Sequence, residues 1–127
     1  MRRLFLGAIA VVTVACSGND TAVPHSGTLT LDLTAAGTND GAIVVTVSGG
    51  PVTAVQAPGE LQIASNAEAA GTHIMITGAI GLGAVATIDV PDVSRANAYA
   101  VTVDQVADRT TFALLDPAAY QVTVVTK

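Results

Sequence analysis

Cys16 is the residue whose chemistry the sequence defines most closely. It is the only cysteine among 127 residues, so it cannot form a disulfide within the chain. A lone thiol is unusual in an exported protein unless it has a task such as lipid attachment. Two arginines open the chain, and an uncharged run of eleven residues from Leu4 to Val14 follows them. A membrane-spanning helix needs about 20 apolar residues, so this run fits the apolar region of a secretory signal peptide instead.

The residues Thr13-Val14-Ala15-Cys16 resemble the lipobox of bacterial lipoproteins. In that family the signal peptide is removed and the lipid-modified cysteine becomes the first mature residue, which implies lipid attachment at Cys16. The family usually has leucine where this chain has Thr13, and ordinary cleavage after Ala15 without lipidation stays open. In Gram-negative relatives an aspartate after the cysteine retains the protein at the inner membrane. Ser17 stands there instead, so the resemblance implies the outer membrane.

The remaining nucleophiles and bases do not predict catalysis. A catalytic serine needs a base within hydrogen-bond reach and a third group that orients the base. None of the five serines after Cys16 stands in a Gly-x-Ser-x-Gly turn. His25 lies in a polar stretch with no neighbour to orient it, and alternation places His73 on the strand face of Met75 and Thr77. We therefore predict that the protein is not an enzyme and has no cofactor.

Calcium is the metal for which the sequence offers candidate ligands. It accepts carboxylates from loops, and Asp89, Asp92, Asp104 and Asp108 stand near the ends of two predicted strands. Their spacing is not that of an EF-hand loop, and isolated acids at strand ends usually cap turns or face solvent. We assign no metal ligands from the sequence.

The charge balance excludes a nucleic-acid partner. Ten acidic residues outweigh five basic ones, which gives a net charge of −5. A nucleic-acid interface needs a stripe of lysine and arginine that displaces phosphate counterions. Half of the residues are apolar and the mean hydropathy is +0.57, so the composition predicts one folded domain rather than a disordered chain.

We predict three segments. Residues 1–15 form the signal peptide, residues 16–27 the lipidated cysteine with a flexible tether, and residues 28–127 the folded domain. The tether is rich in turn-forming residues and has no apolar period, so we expect it to reach about 18 Å on average.

From Thr28 onward the apolar period is two, as Leu29, Leu31 and Leu33 alternate with polar residues. This alternation is typical of strands with one face on a core and one face in water. Clusters of Gly, Pro, Asn and Asp separate the strands, which predicts an all-β fold, an antiparallel β-sandwich of about nine short strands. The predicted strands are residues 28–34, 42–48, 52–57, 61–65, 72–78, 84–90, 99–105, 110–114 and 120–126. Residues 67–70 and 106–109 permit a helical turn but are too short to hold a helix alone.

Three aromatic rings follow the tether, and we predict that all three anchor the core. They belong to Tyr99, Phe112 and Tyr120. A buried ring removes about 150–250 Å² from water. With every ring on a core face, no aromatic platform for a sugar is expected.

The segments 41–47, 88–92 and 99–109, together with Asp116-Pro117, resemble those of exported bacterial proteins whose sandwich is similar to that of cohesin-type domains. The resemblance covers about residues 28–127 and implies a nine-stranded sandwich. Cohesins bind dockerin partners or serve in surface assemblies. No residue of this chain matches a partner-binding motif.

We therefore expect an exported, lipid-anchored, non-catalytic domain of the cell envelope that binds a protein or helps to build a surface assembly. The alternative is a carbohydrate-binding module or a small envelope hydrolase. Lysine, which protects sheet edges, is scarce, so an open edge of the sandwich is a candidate for adding a partner's strand.

Overall fold

A computed structural model of the protein describes residues 23–126. The predicted signal peptide, Cys16 and most of the predicted tether therefore lie outside the described residues. The described chain forms nine strands and two short 3-10 helices. The strands are β1 (Gly27–Ala35), β2 (Asp40–Ser48), β3 (Ala54–Gln56), β4 (Gln62–Glu68), β5 (Gly71–Ile80), β6 (Gly83–Val90), β7 (Ala100–Asp108), β8 (Leu114–Leu115) and β9 (Gln121–Thr126), and the 3-10 helices are Val93–Ala98 and Pro117–Ala119.

The strands form two antiparallel sheets that pack face to face. One sheet has four strands in the order β3-β6-β1-β9, and the other has five strands in the order β4-β5-β2-β7-β8. All pairings between neighbouring strands are antiparallel. The predicted all-β sandwich of nine short strands is confirmed.

Alternation of apolar and polar residues explains why these segments are strands. Every second residue of a strand faces the same side, so a period of two places one set of side chains between the sheets. The core is filled chiefly by aliphatic residues from both sheets, among them Leu29, Leu31, Leu33, Ile43, Val45, Val47, Ile74, Ile76, Val85 and Ile88. Full burial of one such side chain contributes about 1.5–3 kcal/mol, and this gain holds the two sheets together.

The two observed 3-10 helices do not lie at residues 67–70 or 106–109, where the sequence permits a helical turn. Residues 67 and 68 belong to β4, and residues 106–108 belong to β7. Each observed 3-10 helix begins at an aspartate cap, because Asp92 accepts the backbone N–H of Ser94 and Asp116 accepts that of Ala118. A carboxylate in this position satisfies a backbone donor that the short helix leaves unpaired.

We call the end of the sandwich at which β1 begins the proximal end; β6 ends and β7 begins there. We call the opposite end, at which β1 ends, the distal end. Asp40 of β2 lies at the distal end, where it pairs with Ile80 and Asp108. Residues before β1 join the domain at the proximal end, where the N–H of Val93 donates to the carbonyl of His25 over 2.8 Å. Within residues 23–126, no helix has the length and apolar character needed to span a membrane.

Candidate functional site

The four acids considered for calcium do not meet. Asp89 accepts a hydrogen bond from the hydroxyl of Thr28, and Asp92 caps its helix at the proximal end. Asp104 lies on the outer face of the five-stranded sheet, and Asp108 lies at the distal end of β7. In the part of the chain that the structure describes, no three His, Cys, Asp or Glu residues form a group that could hold a metal ion. Cys16, the predicted lipid attachment site, lies outside this part.

The three aromatic rings have different surroundings, and the prediction that all three anchor the core is wrong for Phe112. Tyr99 is buried, and its hydroxyl donates to the carbonyl of Pro51 over 2.6 Å. Tyr120 is half-buried against the core. Phe112 is 79% exposed. The predicted strand 110–114 is largely a loop, because Asp108 accepts the backbone N–H groups of Thr110 and Thr111 that a strand would use for pairing.

Asp108 organises the loop between β7 and β8. Its Oδ2 atom lies 2.9 Å from the nitrogen of Thr110 and 2.8 Å from that of Thr111. The backbone N–H groups of Thr111 and Thr110 hold the pKa of Asp108 below its ordinary value, because they stabilise the charged carboxylate. Asn39 ties the loop to the neighbouring β1–β2 connection, since its side-chain amide donates to Asp108 over 3.3 Å and to the hydroxyl of Thr110 over 2.9 Å.

Phe112 stands at the end of this ordered loop in an unusual backbone conformation. Its φ is +61°, and it is the one non-glycine residue with positive φ in residues 23–126. Side chains with a Cβ atom disfavour this left-handed region by about 1–2 kcal/mol, which is why glycine or asparagine usually fills it. The N–H of Phe112 donates to the carbonyl of Asp108 over 3.0 Å, so the position is fixed by the loop.

Two further exposed apolar side chains lie in the distal part of the sandwich. Leu114 of β8 pairs with Ala107 near the end of β7, and Leu82 connects β5 to β6. Each is 71% exposed. Phe112, Leu82 and Leu114 thus place three exposed apolar side chains at this end of the sandwich. The exposure of Phe112 was not predicted, because the pattern of residues 110–114 indicates a core-facing strand.

The buried carboxylate of Asp40 forms two hydrogen bonds at the distal end. Asp40 is only 2% exposed. Its Oδ1 atom accepts a 2.5 Å hydrogen bond from the hydroxyl of Tyr120, and its Oδ2 atom accepts one of 2.9 Å from the N–H of Gly37. These bonds connect the β1–β2 turn to the residue that precedes β9, so they position the loops around Phe112.

The same contacts make the free energy of unfolding depend on pH in the alkaline range. Burial of the ring, the hydrogen bond to Asp40 and the charge of that carboxylate raise the pKa of Tyr120 to about 12. An unfolded tyrosine titrates near pH 10, so the folded chain holds this proton more tightly than the unfolded chain does. The stabilisation is complete below about pH 10 and is lost as the pH rises towards 12.

We expect the urea midpoint of unfolding to fall between about pH 10 and 12, because Tyr120 loses its proton in that window. Urea titrations at several pH values measure this. In Tyr120→Phe the fall should be smaller, and Tyr99, whose pKa burial also raises, accounts for part of what remains. An equal fall in the two proteins would show that Tyr120 is not responsible.

A second polar cluster crosses the outer face of the five-stranded sheet. The hydroxyl of Thr46 donates to Asp104 over 2.5 Å and lies 2.8 Å from Nδ1 of His73. Nε2 of His73 lies 3.3 Å from a carboxylate oxygen of Glu68. His73 is half-exposed on the outer face of β5, as predicted. The sequence did not reveal its two partners, Thr46 and Glu68, because they come from two other strands, β2 and β4.

This cluster contains a hydroxyl, an imidazole and a carboxylate, the groups of a hydrolytic triad. Two features weigh against catalysis. The hydroxyl proton of Thr46 is directed to Asp104, because a carboxylate can only accept. β2 is paired on both sides, so its backbone N–H groups near Thr46 belong to the ladders and cannot hold a developing oxyanion.

Comparison of the chain with protein-family models, with curated proteins and with solved structures found no match. The residues of the site are therefore the basis on which a function is proposed.

Proposed function

We propose that this protein is an exported, non-catalytic β-sandwich domain, anchored to an envelope membrane through a lipid on Cys16, that binds a protein partner through its distal end. In a Gram-negative host the membrane is the outer one, since Ser17 rather than an aspartate follows the cysteine. The cationic start, the apolar run of eleven residues and the lone thiol support export and anchoring.

The binding proposal rests on the exposure and the backbone conformation of Phe112. Its ring is 79% exposed, and its backbone is in a region that disfavours any residue with a Cβ atom. Because the ring is exposed, the folded chain gains little free energy from apolar burial to offset this backbone strain. Exposed aromatic rings are favoured at protein interfaces, where one buried anchor provides much of the binding energy.

The loop is suited to present such an anchor. Asp108 and Asn39 fix its backbone before any partner arrives, so binding loses little conformational entropy. The described chain enters the domain at the opposite, proximal end, where Gly27 pairs with Val90. A partner that offers an apolar pocket for the ring fits this end best.

A photo-crosslinking side chain at position 112 tests the proposal in intact cells. We expect a crosslink to one discrete protein from position 112 and from position 82, because both side chains are exposed at the distal end. Val23 is the matched control, since it is 67% exposed but precedes β1 at the proximal end. Equal crosslinking from position 23, or none from position 112, would contradict the proposal.

Replacement of Phe112 by glycine should separate binding from stability. Glycine relieves the left-handed strain but is more flexible when unfolded, so we expect a net gain of about 0.5–1 kcal/mol. This gain corresponds to a rise of a few degrees in the thermal midpoint. Capture of the crosslinked partner should fall at least about tenfold, as for loss of an interface anchor. Thermal unfolding and a partner pull-down measure the two effects, and a variant that binds as well as the parent chain would remove Phe112 from the interface.

The second candidate is a small hydrolase, which the contacts among Thr46, His73 and Glu68 favour. If it were right, the chain would hydrolyse activated esters, and Thr46→Val would abolish the activity. We expect no difference between the parent chain and this variant, because the site lacks oxyanion donors. A carbohydrate-binding role has less support, since only one of the three aromatic rings is exposed.

A further inference from the structure

Strand β4 is an open edge of the five-stranded sheet. Among the described residues it pairs only with β5. All its side chains are exposed except that of Ile63, which is half-buried. The outer side of an edge strand carries N–H and C=O groups without a strand partner, and these groups form a template for one more strand.

The other three edges are less available. β3 has three residues and stands between Pro51 and Pro58, and β8 has only two residues. β9 is half-buried along most of its length. β4 has seven residues with neither lysine nor proline, and its pairing with β5 has no register shift. The pairings β1–β6, β1–β9, β2–β5 and β2–β7 each contain such a shift. Apart from the charge of Glu68, β4 thus lacks the devices that usually protect an edge from pairing.

We infer that β4 pairs antiparallel with β4 of a second copy of this chain, around a twofold axis at Ser65, so that two five-stranded sheets become one sheet of ten strands. Centring the axis on Ser65 uses all seven residues of the strand. It sets Gln62 opposite Glu68, Ile63 opposite Ala67 and Ala64 opposite Asn66. Such a ladder forms about six to eight backbone hydrogen bonds.

The sequence of β4 is compatible with pairing to itself. Glu68 is its one charged residue. In the register centred on Ser65, the carboxylate of Glu68 faces the amide of Gln62, which can donate a hydrogen bond, and not a second carboxylate. The pairing also ends at two copies, because each β4 already has β5 on its other side. Two copies therefore close the edge without starting a fibre.

The arrangement is independent of the proposed partner site. β8 and the Phe112 loop lie at the opposite edge of the sheet from β4, so dimerisation leaves them free. Antiparallel pairing sends the two tethers out at opposite ends of the joined sheet. Nine residues, 16–24, precede His25, which is held at the proximal end, and they extend to at most about 30 Å. Both anchors can therefore reach one bilayer when the joined sheet lies along it.

Single cysteine substitutions in the full chain, produced in a bacterial envelope, test the register. We expect Ser65→Cys to form a disulfide-linked dimer on oxidation, because residues opposite each other on the axis have Cα atoms about 4.5–5.5 Å apart. Gln62→Cys is the matched control, since the two copies of residue 62 would be about 20 Å apart. Gln62→Cys and Glu68→Cys chains expressed together should link to each other. Equal linking at positions 65 and 62 would overturn the register, and a link from position 65 to a different protein would overturn the assignment of a second copy.

Ser65→Lys and Ser65→Thr test the pairing without a disulfide. Lysine at the axis faces its own copy, so we expect the dimer fraction to fall at least about tenfold, as judged by sedimentation of the detergent-extracted full chain. Threonine is neutral and favours strands, and we expect it to retain the dimer. Circular dichroism checks that both variants stay folded. A parent chain that sediments as a monomer, or a Ser65→Lys variant that stays dimeric, would overturn the inference.

Discussion

Cells that express Cys16→Ser are expected to contain no acylated form of this protein, whereas the parent chain should take up labelled palmitate. Cys16 is the only cysteine, and a serine hydroxyl does not replace a thiol as the acceptor of a lipoprotein anchor. Each buried methylene of an acyl chain contributes about 0.8 kcal/mol, so two or more chains hold a protein firmly at a bilayer. The variant should move from the membrane pellet to the supernatant or stay unprocessed. Palmitate labelling and fractionation measure these outcomes.

The matched control for this experiment is Thr13→Leu, which brings the segment before Cys16 closer to the usual lipobox. We expect it to retain the label or to increase its yield. The mass of the purified parent chain separates the two forms of processing. A mature chain that begins at an unmodified Cys16 would indicate cleavage after Ala15 without lipidation. Retention of residues 1–15 in the mature chain would contradict the anchoring proposal altogether.

Replacement of Asp40 by alanine is expected to lower the free energy of unfolding by about 2–4 kcal/mol, the largest stability effect that we predict. The change removes the buried acceptor of two part-buried hydrogen bonds, one from the hydroxyl of Tyr120 and one from the N–H of Gly37. Hydrogen bonds to a charged group contribute about 1.5–3 kcal/mol each. Urea denaturation of the parent chain and the variant measures the difference.

Asp116→Ala is the matched control for Asp40→Ala. Asp116 lies near the same end of the sandwich and accepts the N–H of Ala118 over 3.0 Å, but the bond is exposed. Loss of a helix cap typically costs about 1 kcal/mol. If the two variants lost equal stability, burial of Asp40 would not be the reason for its effect. The Phe112 loop should also become more mobile in Asp40→Ala alone, which hydrogen exchange at Thr110 and Thr111 can detect.

Local patterns were sufficient to predict most of the strands. The alternation of Leu29, Leu31 and Leu33 follows from the pleat, in which successive side chains face opposite sides. That property belongs to the strand itself, so a single sequence shows it. The same argument placed His73 on an outer face, where the structure has it.

The strand pattern failed at residues 110–114, where a side chain competes with strand pairing for backbone N–H groups. The β-like composition of residues 110–114 predicted a strand, but the side chain of Asp108 takes the N–H groups of Thr110 and Thr111. The amide of Asn39, from the neighbouring β1–β2 connection, then secures the loop. Phe112 moves from the predicted core to the surface as a result.

Alternation along the chain was enough to predict an all-β sandwich of about nine short strands, because burial of alternate side chains is encoded residue by residue. The sequence also supplied the reasons to propose export and anchoring at Cys16, since charge, apolar length and a lone thiol are local features. The arrangement of the two sheets, by contrast, shows that the four acids considered for calcium lie apart, that Asp40 is buried at the distal end, that Phe112 is exposed there and that β4 is an open edge. These properties depend on contacts between residues far apart in the chain, and the order of strands in a sheet, which creates those contacts, has no local signal.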